Sequence, residues 1–255
     1  MRYNDPVMGT AADQTLWDEA RLSAPHDQQD KATRVRAMFD AIAPTYERVN
    51  RLLSAGRDAY WRRRAVELAS VQPDDRVLDI ACGTGDFARA FLKAGPACVV
   101  GSDFAANMLA LAISGTGDSI DWCRADALAL PFADESFDIV SCAFGVRNFQ
   151  DLESGLREAR RVLSNRGRLI VLEFTVPSSR LAGGLYLYYF RRILPRVASW
   201  LSGDRTGAYR YLPSSVSSFV DAEGMTESLR RCGFARVERH PLTIGVVTVY
   251  LAWKA

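Results

Sequence analysis

The spacing of apolar positions changes along the chain, and each change predicts a different kind of element. Residues 1 to about 30 are polar and aperiodic, which predicts a flexible tail with at most a short helix around residues 15–21. From residue 32 to about 53, Val35, Met38, Phe39, Ile42, Tyr46 and Val49 recur at spacings of three and four, a helical period. Pro44 falls inside that run, so two helices or a kink at Ala43-Pro44 are expected. A third helix is predicted at 59–69, before a loop at 71–75. From Arg76 the chain alternates: strand 76–81, helix 86–93, strand 98–103, helix 105–113, strand 120–124, strand 137–143, helix 152–163, a turn at 165–167, and strand 168–174. Such alternation means parallel strands joined by crossover helices, an open doubly wound α/β sheet. Ligands of these sheets bind outside the carboxyl ends of the strands, where the strand order reverses.

After Pro177 the pattern changes again. Residues 181–203 are apolar and aromatic, with Arg191, Arg192 and Arg196 among them, and a Tyr209-Arg210-Tyr211-Leu212 segment follows. A helix is predicted at 221–232, capped by Asp221 and ended by Gly233. Strands 235–240 and 244–253, joined through Pro241, read as an antiparallel pair. The expected organisation is the tail (1–30) followed by one domain (31–255). That domain comprises a helical cap (31–70), a cofactor-binding core (71–177), a substrate-side insertion (178–220), and a C-terminal helix with the strand pair (221–255).

Composition narrows the function classes. The 255 residues are 48% apolar with a net charge of +2, which is ordinary for a soluble globular protein and gives no electrostatic case for nucleic acid. The five cysteines are odd in number and contain no CxxC, and three fall in predicted buried strands; they read as reduced core cysteines of a cytosolic protein. The two histidines, His26 and His240, lie far apart and suggest no metal cluster. No apolar run approaches the roughly 20 residues of a membrane span, and no apolar h-region marks a signal peptide.

The chemistry centres on residues 76–87, which read strand, glycine turn, helix. Gly83 and Gly85 let the backbone approach a ligand, and the following helix points its N–H groups at it. Asp103 ends the next strand, where a carboxylate can accept both hydroxyls of a ribose, the reading favoured by the glycine loop upstream; the same carboxylate can also cap the following helix. Gly83-Thr84-Gly85-Asp86-Phe87-Ala88 matches G-x-G-x-x-A, so an NAD-binding oxidoreductase is one reading. Asp79 within the strand and Asp86 at the helix start argue instead for a cationic ligand, and S-adenosylmethionine carries an ammonium, a sulfonium and a ribose. Asp126, with the backbone N–H of Ala127, can meet an adenine edge, or it can simply make a turn. Arg147 and Asn148 follow the strand next to the loop and are the polar candidates nearest the reacting group; a salt bridge and a helix cap are their plainer roles.

Several segments carry a resemblance: Met38-Phe39-Asp40-Ala41-Ile42-Ala43-Pro44-Thr45-Tyr46, the Val77 to Asp86 loop, Asp126 to Phe132, Phe144-Gly145-Val146-Arg147-Asn148, Leu172-Glu173-Phe174, and Tyr209-Arg210-Tyr211-Leu212. The sequence resembles the class I S-adenosylmethionine-dependent methyltransferases, and among them the C-methyltransferases of menaquinone and ubiquinone biosynthesis. The resemblance covers residues 35–254. It implies a Rossmann-like, mostly parallel seven-stranded sheet with an antiparallel C-terminal strand, and cofactor contacts at Thr84, Asp103, Asp126, Ala127 and Ala143. Ala143 stands where the family usually has Ser, so a hydroxyl contact is absent there. The implied reaction is methylation of a ring carbon of a prenylated quinol without a metal, with Arg147 favouring the phenolate and Tyr46 and Asn148 orienting the ring oxygens. Naphthoquinol is the first expectation and benzoquinol the alternative. The aromatic and arginine-rich stretch 185–194 offers a groove for the prenyl tail or a peripheral contact with the inner face of the membrane. A homodimer is compatible with the sequence. Charge balance and the lack of an Asn-Pro-Pro-Tyr or Asp-Pro-Pro-Tyr motif count against nucleic-acid methylation, and the departure at Ala143 leaves a non-catalytic scaffold open.

Overall fold

Seven strands form one sheet in the computed structural model, which describes residues 15–54, 56–115, 119–177, 179–204 and 206–254. In chain order they are β1 (Arg76–Ile80), β2 (Cys98–Asp103), β3 (Asp121–Arg124), β4 (Phe137–Ala143), β5 (Leu163–Phe174), β6 (Arg236–Leu242) and β7 (Val247–Trp253). Their spatial order is β3-β2-β1-β4-β5-β7-β6. The first five pair in parallel, and β7 lies antiparallel between β5 and β6. The order reverses between β1 and β4, so the crevice expected of such sheets opens at their carboxyl ends.

The described helices are α1 (Glu19–Ser23), α2 (Lys31–Leu53), α3 (Arg57–Ala69), α4 (Asp86–Leu92), α5 (Ala106–Ser114), α6 (Leu152–Val162), α7 (Arg180–Tyr188), α8 (Leu194–Ser202), α9 (Ala208–Ser218) and α10 (Ala222–Arg231). A π turn, Tyr189–Ile193, joins α7 to α8. The strands read as continuous apolar runs because helices cover both faces of the sheet. Leu78, Val140 and Val171 pack against α6 and α10 on one face. Their neighbours Val77, Ile139 and Ile170 meet Trp61 of α3 and Phe87 and Phe91 of α4 on the other, as the two-residue strand period requires.

A third apolar cluster builds the cap over the carboxyl ends. It gathers Trp17, Val35, Met38, Ile42, Met108 and Tyr211 from four distant parts of the chain. Residues 15–30, which read as tail, are therefore packed: Trp17 is fully buried, its ring lies 4.3 Å from that of Tyr211, and its backbone N–H donates to Thr206 O. The remainder of the expected tail, residues 1–14, lies outside the described residues.

Other details differ from the sequence pattern for identifiable reasons. Of the two outcomes expected at Pro44, separate helices do not form: α2 runs through it as one 23-residue helix. Proline leaves the carbonyl four residues back without its helical donor. That carbonyl, on Asp40, instead accepts Asn107 Nδ2 at 3.0 Å, while the Asp40 carboxylate accepts Asn107 N at 2.8 Å. The bond that α2 loses internally is replaced by a tie to the start of α5. The turn at 165–167 lies inside β5, which bulges where the pairing jumps from Phe137↔Leu163 to Ile139↔Arg168. Pro241 falls within β6 because that strand is an edge of the sheet, where a missing N–H costs least. Cys98, expected in a buried strand, is exposed.

The Asn107 tie is testable by a double-mutant cycle. Asn107→Ala is expected to lower stability by about 1 kcal/mol. In a Pro44→Ala background the helix regains its own donor, so the cost should shrink markedly in chemical denaturation; an unchanged cost would show that the tie does not replace the lost bond.

Candidate active site

Three residues at the turn after β1 have left-handed backbones: Ala81 (φ 50°), Gly83 (φ 57°) and Gly85 (φ 85°). The two glycines do different work. A Cβ on Gly83 would meet nothing within 4 Å and would point into a cavity, whereas one on Gly85 would come within 2.4 Å of the Trp122 ring. Gly83 therefore leaves room for a ligand, and Gly85 makes room for a tryptophan.

The cavity sits at the carboxyl ends of β1, β2 and β4. Tyr46, Gly83, Asp103, Asp126, Ala127, Ala143 and Asn148, all singled out from the sequence, line it. Asp103 is buried, and its two oxygens accept Gly83 N at 2.7 Å and Ala105 N at 2.8 Å. It thus bonds a backbone N–H at the approach to α5 and still has lone pairs for two hydroxyls. Asp126 Oδ1 accepts Leu128 N at 2.9 Å, making the turn foreseen as its plainer role. The Ala127 N–H finds no acceptor among the described residues and remains available to a ligand.

Asp79, Thr84 and Gly85 do not line this cavity. Asp79 is fully buried beneath the loop, with one oxygen accepting Ser141 Oγ at 2.7 Å and the other unpartnered. Thr84 is buried, and its carbonyl accepts Arg89 Nη1. Asp86 lies against Arg62 at 3.7 Å and Arg89 at 3.5 Å and is likewise not part of the wall. The preference for a cationic ligand survives on other residues: Asp103 and Asp126 are in the wall, and no arginine, lysine or histidine is. A pyrophosphate would find no cation there, while an ammonium and a sulfonium would find two carboxylates. The donor set fits S-adenosylmethionine.

A second, larger cavity of about 1160 Å³ including its mouth adjoins the first. Phe39, Tyr46 and Phe144 line both. Its floor is the ring pair Phe144 and Phe174, 4.5 Å apart, with Trp61 edge-on to each. Two guanidiniums flank that floor: Arg62 is 5.9 Å from the Phe144 ring centre and Arg147 is 5.6 Å from that of Phe174. Arg147 forms the salt bridge that was its plainer role, Nη1 to Glu173 Oε1 at 2.7 Å, and it also donates to Phe144 O. Both partners are buried, and burial raises the pKa of Glu173 against the opposing charge of Arg147. Asn148 accepts the Tyr211 hydroxyl at 3.0 Å and donates to Phe144 O, so it links the cap to the strand end and faces the first cavity. Tyr46 stands between the two cavities with its pKa raised by burial.

Sequence reasoning missed Arg62 and Glu173 as the partner of Arg147; Tyr186 falls in the 185–194 stretch read as a tail groove, without a polar role of its own. Arg62 Nε, Arg147 Nε and the Tyr186 hydroxyl are buried without a hydrogen-bond partner among the described residues, and all three side chains line the larger cavity. Such orphaned donors are uncommon in folded proteins and suit a ligand with polar oxygens. No group of three or more His, Cys, Asp or Glu that could hold a metal occurs among the described residues, and none of the described helices is long and apolar enough to cross a membrane.

The comparisons with known proteins agree with this geometry. The model of the ubiE/COQ5 methyltransferase family matches residues 27–254. The chain is 45% identical over 232 residues to the demethylmenaquinone methyltransferase of Deinococcus radiodurans, covering 89% of this chain and 95% of that one. It is 39% identical to a ubiquinone/menaquinone biosynthesis C-methyltransferase UbiE of Geotalea daltonii, covering 88% and 98%. A solved S-adenosylmethionine-dependent methyltransferase from Thermotoga maritima, titled a possible histamine N-methyltransferase, shares the fold with a TM-score of 0.61 at 22% identity, covering 87% of this chain and 100% of that one. The NAD-oxidoreductase alternative finds no support in these matches.

Burial pushes Asp103 up to about 6 and Asp79 up to about 7. Both folded values exceed the ordinary carboxylate value, so the folded chain holds these protons more tightly than the unfolded one. Their contribution to stability is therefore greatest in acid and fades as pH rises through those values. A cationic cofactor favours the Asp103 carboxylate, so its binding should release a proton near pH 6. Calorimetry is expected to show affinity for S-adenosylmethionine rising from about pH 5 to about pH 7, at most about tenfold per unit. Asp103→Asn should weaken binding about 10- to 100-fold and flatten that pH dependence; a pH-independent wild-type affinity would contradict the assignment.

Proposed function

The chain belongs to the ubiE/COQ5 methyltransferase family, and from that premise we propose that it methylates a ring carbon of demethylmenaquinol, a prenylated naphthoquinol, to give menaquinol. It is an S-adenosylmethionine-dependent methyltransferase. The observation that carries the substrate reading is the pairing of two chambers across one aromatic wall: a carboxylate-lined chamber for the cofactor, and an aromatic chamber flanked by Arg62 and Arg147. The name of the Geotalea relative favours a second reading, the same methylation of a prenylated benzoquinol in ubiquinone biosynthesis.

When bound, S-adenosylmethionine supplies an electrophilic methyl on a sulfonium. Asp103, Asp126 and Ala127 would hold its ribose and adenine, with Gly83 leaving room and Ala143 contributing through its backbone. The protein's own task is to make a poorly nucleophilic ring carbon reactive and to hold it at the wall between the chambers. The Phe144 and Phe174 rings form a surface on which an aromatic ring can lie. A quinol carries oxygens on opposite sides of its ring, and the two guanidiniums lie over different members of the floor pair. Positive charge beside a bound hydroxyl lowers its pKa and favours the phenolate, whose charge activates the neighbouring ring carbon. Tyr46, at the shared wall, orients a ring oxygen; Asn148, also expected to do so, lines only the cofactor chamber, and its amide holds the Tyr211 hydroxyl and the Phe144 carbonyl. Phe190 and Leu194 give the prenyl tail an apolar channel towards the mouth. The chain would act from the cytoplasm, as a peripheral visitor to the inner face of the membrane.

Arg147→Ala alone would leave Glu173 buried and unpaired, at a cost of about 3–5 kcal/mol, and would confound catalysis with folding. The neutral pair Arg147→Gln with Glu173→Gln avoids this. It is expected to lower kcat about 10²-fold while cofactor affinity stays within about threefold; near-normal turnover would remove Arg147 from the mechanism. Cells lacking the protein should accumulate demethylmenaquinone by mass spectrometry of extracted quinones, and a normal menaquinone profile without that intermediate would overturn the substrate assignment.

A further inference from the structure

Resting on the reading that the substrate carries a membrane-dissolved prenyl tail, we propose that the outer face of the helical stretch from α7 to α8 docks on the surface of an anionic phospholipid bilayer. Tyr189, Ile193 and Val197 recur every four residues and are 36%, 42% and 39% exposed, and Tyr188 beside them is 63% exposed. Residues four apart drift one way around an α-helix and the other way around a wider π turn. The π turn at Tyr189–Ile193 therefore keeps the three in one stripe. Exposed apolar side chains in a row, rather than scattered singly, mark an interaction surface.

The charge beside that stripe is of one sign. Arg191, Arg192 and Arg196 line a surface groove together with Arg210, Ser214 and Ser217 of α9. None of these four arginines has a carboxylate within ion-pair distance among the described residues. Elsewhere on the surface Arg157, Arg161 and Arg231 are each ion-paired. Arginines with no carboxylate partner among the described residues, beside an apolar stripe, match what an anionic interface offers: phosphate headgroups for the cations and the acyl boundary for the apolar side chains. A free phosphate would use the arginines but would have no use for the stripe.

The stripe is also continuous with the substrate chamber. Tyr189 belongs both to the exposed row and to the chamber wall, and the next residue, Phe190, is buried in that wall with Leu194. One helix thus touches the bilayer on its outside and lines the apolar channel on its inside. A prenylated ring leaving the membrane beside it would pass directly into the chamber.

The test is co-sedimentation of the full chain with vesicles of phosphatidylcholine alone or of phosphatidylcholine with about a third phosphatidylglycerol, at low salt and at about 0.5 M salt. The wild type is expected to partition onto the anionic vesicles, weakly onto the neutral ones, and less at high salt. Arg192→Glu with Arg196→Glu, and separately Ile193→Glu with Val197→Glu, should each reduce partitioning about tenfold or more. Neither pair lines the reaction chambers, so thermal midpoint, S-adenosylhomocysteine affinity and turnover of a short-chain, water-soluble quinol should be unchanged. No binding of the wild type to anionic vesicles, or equal binding by wild type and both variants, would overturn the proposal. Vesicle binding by a wild type that fails to methylate the soluble quinol would instead refute the substrate reading and leave the docking surface standing.

Discussion

One aromatic wall, Phe39, Tyr46 and Phe144, keeps a chamber lined by carboxylates apart from one flanked by guanidiniums. Opposite charges in a poorly screened interior attract strongly and would pair across any open gap. Each is tied to its own side instead. Asp103 is held by two backbone N–H groups, Arg147 by Glu173 and the Phe144 carbonyl, and Arg62 by Asp58 at 2.8 Å. The wall thus separates the carboxylates of the cofactor chamber from the guanidiniums of the other, where Arg62 keeps its own partner Asp58 in the lining. A cationic methyl donor and an anionic ring both need that arrangement, and neither would be served by a single mixed pocket.

The separation has a cost, and the cost is local. Burying Arg147 and Glu173 together desolvates two charges, and their mutual attraction recovers that loss only with good geometry and further hydrogen bonds. The pair gains those from Phe144 O and from Phe174 N, yet Arg147 Nε and Glu173 Oε2 stay without partners. Backbone strain collects at the same place. Ala81, Phe144 and Thr243, each lining one or both chambers, have left-handed conformations that non-glycine residues seldom adopt. Each costs about 1–3 kcal/mol and persists because surrounding packing enforces it. For Phe144 the enforcement is visible: its N–H bonds Leu172 O, its carbonyl is held by Arg147 and Asn148, and its ring is set against Phe174 and Trp61.

The sheet was legible in the sequence because its determinants are local and periodic. Strand runs bounded by glycine turns and helices at a 3.6-residue period gave the α/β alternation, and Asp103 and Asp126 followed from their places at strand ends. What escaped was decided by partners distant in sequence. Pro44 predicts a broken helix until Asn107, more than sixty residues later, supplies the missing donor. Trp17 lies in a polar stretch and reads as tail until Tyr211 and the Thr206 carbonyl are placed against it. Gly85 matches a ligand loop, but the contact that demands glycine there is with Trp122. Arg62 carries no motif and enters the site because α3 lies beside the Phe144 floor. Asp79 and Asp86 pointed to a cationic cofactor, although the carboxylates in the cofactor wall are Asp103 and Asp126.

The cap is held over the cofactor chamber by a balance rather than by a large apolar interface alone. Lys31 Nζ donates to Phe149 O at 2.5 Å, Ala32 N to Gln150 Oε1 at 2.8 Å, and Gln150 Nε2 to Gln28 O at 3.0 Å. Ala32, Phe149 and Gln150 all line the chamber, so this seam is also its edge. Burial lowers the pKa of Lys31 to about 8, which means that its ammonium is held there against a desolvation penalty. Because the folded value lies below the ordinary one, the folded chain gives up this proton more readily than the unfolded chain, and the penalty is fully present at neutral pH. The side chain that fastens the seam therefore carries a desolvation cost that its hydrogen bond to Phe149 O offsets. The apolar cluster around Trp17 and Tyr211 packs the same cap and includes Met108, which also lines the chamber, so the cofactor site's edge depends on residues far apart in sequence.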